Sequence, residues 1–259
     1  MATSITAAGR PTQSPKPFGR RHPADYNFFL TYVVLIWLAV LAGFVPDVIR
    51  HVRSHAAPYP ISVHVHAAVS IAWLALLTTQ TVLVRRREVR LHRKIGVSGA
   101  FLATAVVLIG SWAALSVAAA ELGTPKSRPQ FLSIELSNLI EFAALAAAAI
   151  SARKQPSAHK RLILLATLSL TPAAFNRAVG GPLLHPLLGN GVWQVFVGVF
   201  GPTDLMVLGI GLYDWLTRRR LHPAWVFGAL WIVVAQLTAS WLDYNPAWKM
   251  IATALVRAW

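Results

Sequence analysis

The chain has no cysteine, only nine acidic residues, and only 13% charged residues in a length of 259. Without thiols there can be no disulfide, thiolate zinc site, iron–sulfur cluster or covalent c-type haem. Any bound metal or haem must therefore rely on His, carboxylate or Met. So little charge also argues against an ordinary soluble domain, in which about a quarter of residues are charged. Walker A, GxSxG, GxGxxG, EF-hand and HExxH patterns are all missing. Enzymatic chemistry could reside only in buried polar residues, and the sequence leaves open whether the protein is an enzyme.

What the chain does have is apolar length: 56% of residues are hydrophobic, and the mean hydropathy is +0.54. Stretches near 28–46, 63–84, 95–119, 131–151, 161–178, 193–216 and 224–242 each approach the ~20 residues a spanning helix needs. The expected fold is all-α, an integral membrane bundle of seven transmembrane helices. The gaps between stretches alternate in charge. The leader, 85–94, 153–161 and 218–220 carry seventeen Lys/Arg, and the other gaps carry seven. The positive-inside rule then puts the N-terminus in the cytoplasm and the C-terminus outside. The formal net charge of +15 fits cytoplasmic loops facing anionic membrane lipids, and nucleic acid is not expected as a partner. Residues 1–27 read as a disordered basic leader, 28–246 as the membrane domain and 247–259 as a short C-terminal tail. The Ala-rich end of the fourth stretch, Ala143 to Ala149, permits close packing and predicts a central helix.

Ionisable residues inside a membrane are costly and are the default functional candidates. At ~1.5 Å per helical residue, counting from the basic gaps puts Glu141 ~18 Å, Asn138 ~22 Å and Glu135 ~27 Å along the fourth span. By the same ruler Arg177 lies ~24 Å and Asp204 ~21 Å from the basic side, with His66 and His64 at ~28 and ~31 Å. All fall in or just beyond the outer half of a core ~30 Å thick. Glu135, Asn138 and Glu141 share one arc of their helix. A polar ligand cavity open to the outer face, lined by Glu135, Asn138, Glu141, Arg177 and Asp204, is the simplest common reading. Two plainer readings stand beside it: a structural Arg177–Asp204 ion pair, and interhelical hydrogen bonding by the fourth span.

His64 and His66 could ligate a divalent metal only with a third ligand, such as Glu135 or Asp204, and otherwise are interfacial histidines. His92, His159 and His222 start helices on the basic side at similar depth. They are candidates for haem b ligation or for contacts to lipid headgroups.

Spaced landmarks run from His64, His66, Trp73 and Gln80 through Leu91-His92-Arg93 and Gly96. They continue through Ala158-His159-Lys160-Arg161-Leu162, Pro172 and Arg177 to Asp214, Thr217-Arg218 and His222-Pro223. Over roughly residues 64 to 223 this resembles a family of uncharacterised predicted bacterial polytopic membrane proteins, in which a His-Arg pair starts a helix after a basic loop. The resemblance implies a multi-pass protein of the bacterial cytoplasmic (inner) membrane and supplies no activity. The expected function is binding of a small-molecule ligand or metal in the outward cavity. Haem b redox chemistry and proton-coupled transport are the alternatives, and oligomeric state is left open.

Overall fold

The computed structural model describes residues 18–19, 22–55 and 57–259. The expected disordered leader falls mostly on residues 1–17, 20 and 21, which lie outside the described residues. Its final residues, from Asp25 on, already belong to the first helix.

All regular structure among the described residues is helical. Helix α1 spans Asp25–Arg53, α2 Ile61–Arg85, α3 Val89–Gly96 and α4 Ser98–Glu121. A 3₁₀ turn at Pro129–Phe131 leads into α5, Leu132–Ser151. Next come α6 Pro156–Leu168, α7 Pro172–Phe175 and α8 His185–Leu188, then α9 Val192–Val195 and α10 Gly201–Arg218. The chain finishes with α11 Pro223–Asp243 and α12 Pro246–Ala258. Prolines open α6, α7, α10, α11 and α12, where a missing N–H costs nothing.

Six helices are long and apolar enough to cross a membrane, or seven if Pro156–Leu168 and Pro172–Leu188 form one span bent by 46°. The protein is a multi-pass membrane protein. Large apolar side chains such as Phe101, Leu108, Leu205 and Phe227 point outward, as lipid-facing positions should. Helices α3 and α4 read as one 33-residue segment, ~50 Å long and so longer than the hydrocarbon. The excess is α3, whose sequence VRLHRKIG suits a headgroup layer. The expected C-terminal tail is in fact α12, which packs Ala252 and Val256 against Ala114 and Leu132.

The expected fifth span is broken. Pro172 has no N–H, and its ring excludes a continuous helix through Leu168. Buried hydroxyls bond the carbonyls beside the break: Ser169 Oγ donates to Ala166 O at 3.2 Å, and Thr171 Oγ1 joins its own N–H on Leu168 O at 2.7 Å. Beyond α7 the chain runs in π-helical turns, Asn176–Leu184, which pack against similar turns at Phe196–Phe200. The two stretches approach so closely at Gly180 and Gly198 that a Cβ on Gly180 would strike the Gly198 carbonyl. Gly43 lets α1 lie on α7 in the same way.

Helix α5 packs against α4, α6 and α11, a central position in keeping with its small residues Ala146 and Ala149, both buried. In the core the Trp73 indole meets Phe142 edge-on at 4.9 Å and donates to Thr167 Oγ1 at 3.2 Å. Tyr32 donates to Met206 O and Trp225 to Val207 O, each at 2.9 Å, so these aromatic tips are satisfied.

The end of the bundle that carries the basic gaps is held by charge. Arg161 and Asp214 are fully buried and pair through two hydrogen bonds, Nε to Oδ2 at 2.7 Å and Nη2 to Oδ1. Arg161 Nη1 also donates to Ser157 O at 2.6 Å. Asp25 of α1 accepts from Lys160 Nζ and from the Tyr213 hydroxyl, both at 2.5 Å, and from Arg218 at 3.1 Å. These contacts tie α1, α6 and α10 together. Beside them, buried His222 caps α11, its Nδ1 accepting from Ala224 N–H at 3.0 Å. Its pKa is pushed from 6.5 down to about 4 by burial first and by the neighbouring Arg161 second.

Arg161→Met should lower stability by on the order of 3–5 kcal/mol, because it removes the bidentate partner of the buried Asp214 carboxylate and leaves it only the Arg218 contact at 3.5 Å. Thermal melting in detergent followed by circular dichroism should show that loss, and Arg161→Met with Asp214→Leu should recover much of it. If the double variant melts no higher than the single one, the burial argument is wrong.

For His222 the unfolded chain takes up a proton below pH 6.5 that the folded protein refuses until about pH 4. Its contribution is therefore complete above that window and lost as pH falls through it. His222→Asn keeps a capping oxygen without the titration, so its melting midpoint should fall less steeply from pH 6.5 to 4 than the wild type's. Identical slopes would exclude His222 as a source of acid sensitivity.

Candidate functional site

At the end opposite the basic gaps, a cavity of ≈ 370 Å³ lies among the end of α4, the α4–α5 connection, the start of α5 and the π-turn segments. Glu135 enters it from the first turn of α5, and Glu121 from the last turn of α4. Lys126 and Arg128 line the connection, and Arg128 is held by Asp243 at 3.0 Å. Asn176 and His185 come from the π-turn segment and α8, and Gln194 from α9. Phe131, Leu132, Val195 and Val199 give the cavity an apolar side. Asn176 and His185 also pack on the π-turn glycines, at Gly180 and Gly198, and each keeps one buried atom, Oδ1 and Nε2, without a hydrogen-bond partner. Such orphans are rare and point to something that fills them.

Six residues farther along α5, ~9 Å deeper, stands a second polar group. Glu141 is fully buried; its Oε1 accepts from Ser137 Oγ at 3.1 Å, while Oε2 has no partner. Asn138 Oδ1 is likewise unpartnered. Asp204, in the first turn of α10, lies within electrostatic reach of Glu141 and leaves Oδ1 unpartnered. The fully buried Gln236 of α11 stands within reach of the Asp204 carboxyl and acts on it, although neither amide atom closes a hydrogen bond of good geometry. Ser240 Oγ, one turn on, is also unsatisfied.

The five residues expected to line one cavity are thus divided. Glu135 lines the cavity, Glu141 and Asp204 act on each other deeper in the bundle, and Asn138 stands one turn before Glu141 on α5 with Oδ1 unpartnered. Arg177 does not pair with Asp204, which corrects that reading. The break at Pro172 carries Arg177 onto α1, where its Nε meets Asp47 Oδ2 at 3.2 Å and its guanidinium lies 4.8 Å from the Phe44 ring centre. It still acts on Glu135 electrostatically.

The histidines do not assemble as a metal site. His64 is exposed, and His66 is half-buried beside Gly110 and Leu139. Among the described residues no three His, Asp or Glu side chains converge as metal ligands. Nor do His92, His159 and His222 form one set, since the His222 ring is committed to its cap. His92 and His159 share a corner of α3 and α6, within electrostatic reach of each other. There the Gln80 amide, oriented by its neighbours, donates to His92 O at 3.0 Å, and His159 Nδ1 meets Ala149 O at 2.8 Å.

Sequence reasoning missed Gln236, Ser240, Asn176 and Gln194. The signal for Gln236 is a lone amide inside the apolar run WIVVAQLTASW, and the criterion applied to charged residues would have found it. Comparison with known protein families, with curated proteins and with solved structures finds no match to this chain.

Proposed function

We propose that the chain is a binding protein of the bacterial cytoplasmic membrane that takes a small polar solute into an outward-facing cavity. On this reading the bent pair Pro156–Leu168 and Pro172–Leu188 is one span, giving seven. The N-terminus is cytoplasmic and the C-terminus outside. The excess of Lys/Arg at the basic end supports that orientation.

The observation that carries the reading is the cavity of ≈ 370 Å³ with Glu121, Glu135, Asn176, His185 and Gln194 in its lining. That volume lies within the usual range for small-molecule sites. Its chemistry suggests the ligand class. Glu121 and Glu135 offer negative charge that Lys126 offsets in part, Arg128 is already engaged by Asp243, and Val117, Ala118, Phe131, Leu132, Val195 and Val199 give an apolar side. A small solute with an ammonium or amide head and a short apolar body fits this lining. Passage of the solute through the protein is a second reading, favoured by the helix break and π-turns beside the cavity.

Access and orientation are tested together, because the chain is free of cysteine. Thr124→Cys and Glu135→Cys should react with a membrane-impermeant thiol reagent in intact cells, and Gln155→Cys only after lysis. The reverse pattern inverts the orientation. A silent Glu135→Cys beside a reactive Thr124→Cys removes the open cavity.

Alanine, betaine, ethanolamine and glycerol serve as probes of the ligand class. At least one should raise the melting midpoint of the purified protein saturably, and Glu135→Gln should weaken that response about tenfold. No response to any probe, or an equal response in the variant, argues against the site. Uptake of the responding probe into proteoliposomes would favour passage over binding alone.

A further inference from the structure

The deeper group has no counterpart in the cavity's chemistry and stands whatever fills the cavity. Its atoms are out of balance. The unpartnered acceptors are Asn138 Oδ1, Glu141 Oε2, Asp204 Oδ1 and Gln236 Oε1. Against them stand one unpartnered donor group, Gln236 Nε2, and the Ser240 hydroxyl. The Ser137 hydroxyl is already engaged, by Glu141 Oε1 at 3.1 Å and Ala235 O at 3.3 Å. An apolar interior tolerates such groups only when a shared proton, a water or a cation supplies the missing partner.

Charge makes the same demand. Of the five aspartates in the chain, Asp25, Asp47, Asp214 and Asp243 each have an Arg or Lys within ion-pair distance. Asp204 has no such ion pair among the described residues, and the charged group acting on Glu141 is Asp204 itself. Two carboxyl groups, one on α5 and one on α10, thus lie within electrostatic reach of each other, and neither has an ion pair among the described residues. Gln236, fully buried on α11, lies close enough to Asp204 for its amide to act on that carboxyl, and its Oε1 has no partner.

We infer that Asn138, Glu141, Asp204 and Gln236 hold a small hard cation of the sodium class between α5, α10 and α11. Oxygen-only donors suit a hard cation and argue against zinc, copper or iron, which prefer nitrogen or sulfur. Divalent cations fit less well. Calcium takes six to eight oxygens, and magnesium keeps several of its waters. The fully buried Glu141 and Gln236 contribute to a closed site with few side-chain oxygens. The π-turns at Phe196–Phe200 lead directly into the helix that carries Asp204. Irregular backbone of this kind is where membrane proteins coordinate sodium.

The test is thermal melting of the purified full chain in NaCl, KCl or choline chloride at equal ionic strength, with CaCl₂ as a further arm. Sodium should raise the midpoint saturably, and potassium and choline should not. Gln236→Leu and Asn138→Ala should each weaken the sodium response about tenfold or abolish it. Should either fail to fold, the isosteric Asp204→Asn and Glu141→Gln give the same reading. Glu135→Gln should leave the sodium response intact, which separates this site from the solute cavity. Equal midpoints in all three monovalent salts overturn the inference. So does a sodium response that survives these substitutions, or a response to calcium alone.

Discussion

Neither Arg161 nor Asp214 keeps any solvent contact, so opening their bidentate pair would leave Arg161 without a counter-charge and Asp214 with only the Arg218 contact at 3.5 Å. That constraint fixes α6 against α10. Asp25 extends it to α1, because one carboxylate accepts from Lys160, Tyr213 and Arg218 at once. With three helices locked at the basic end, their relative depths are set along their whole length. The positions of Pro172 on one and Asp204 on another follow from there. The network adds specificity more than net stability, since well-packed apolar residues could fill the same space.

At the opposite end the demands on the backbone are different. Pro172 interrupts the helix, and π-turns follow in two segments that touch at glycine. Non-helical backbone at membrane depth survives only where protein or a water-filled cavity covers it. Ser169 and Thr171 cover the break from within, and the cavity beside Asn176 and His185 lies along the π-turns. The irregular backbone and the cavity are thus two aspects of one arrangement.

Much of the architecture was legible because hydrocarbon imposes a length on apolar runs and loops impose a charge on their ends. Six of the expected spans correspond to helices within a few residues. The break in the remaining one was not legible. Pro172 was visible, but which way the chain turns after it depends on Gly43 and Gly180, whose role is contact with distant backbone. That turn decides the partner of Arg177, and so the expected pair with Asp204 gave way to Asp47. A depth ruler gathers residues into a layer but cannot say which of them face each other around the bundle. It grouped Glu135 with Glu141, although one lines the cavity and the other is sealed beneath it. The ruler also started its count at Arg161, treating as a loop residue one of the most buried side chains in the protein. A clue was available there: Asp25 and Asp214 are scarce acids at an end crowded with Lys and Arg, and scarce acids at such an end find partners.

Buried charge alone therefore does not distinguish structure from function in this protein, because both ends of the bundle bury it. The distinction is whether the protein completes its own pairing. At the basic end the Arg161 guanidinium, both Asp214 oxygens and both Asp25 oxygens have internal partners. At the opposite end Glu141, Asn138, Asp204, Gln236, Asn176 and His185 each keep a buried atom with none. An unpaired buried group costs about 1–3 kcal/mol, so six such residues would consume a large part of a protein's marginal stability. Waters, protons held on the carboxyls, or bound groups must offset that cost. The paired end explains how the bundle stands, and the unpaired end is where a ligand and a cation would complete it.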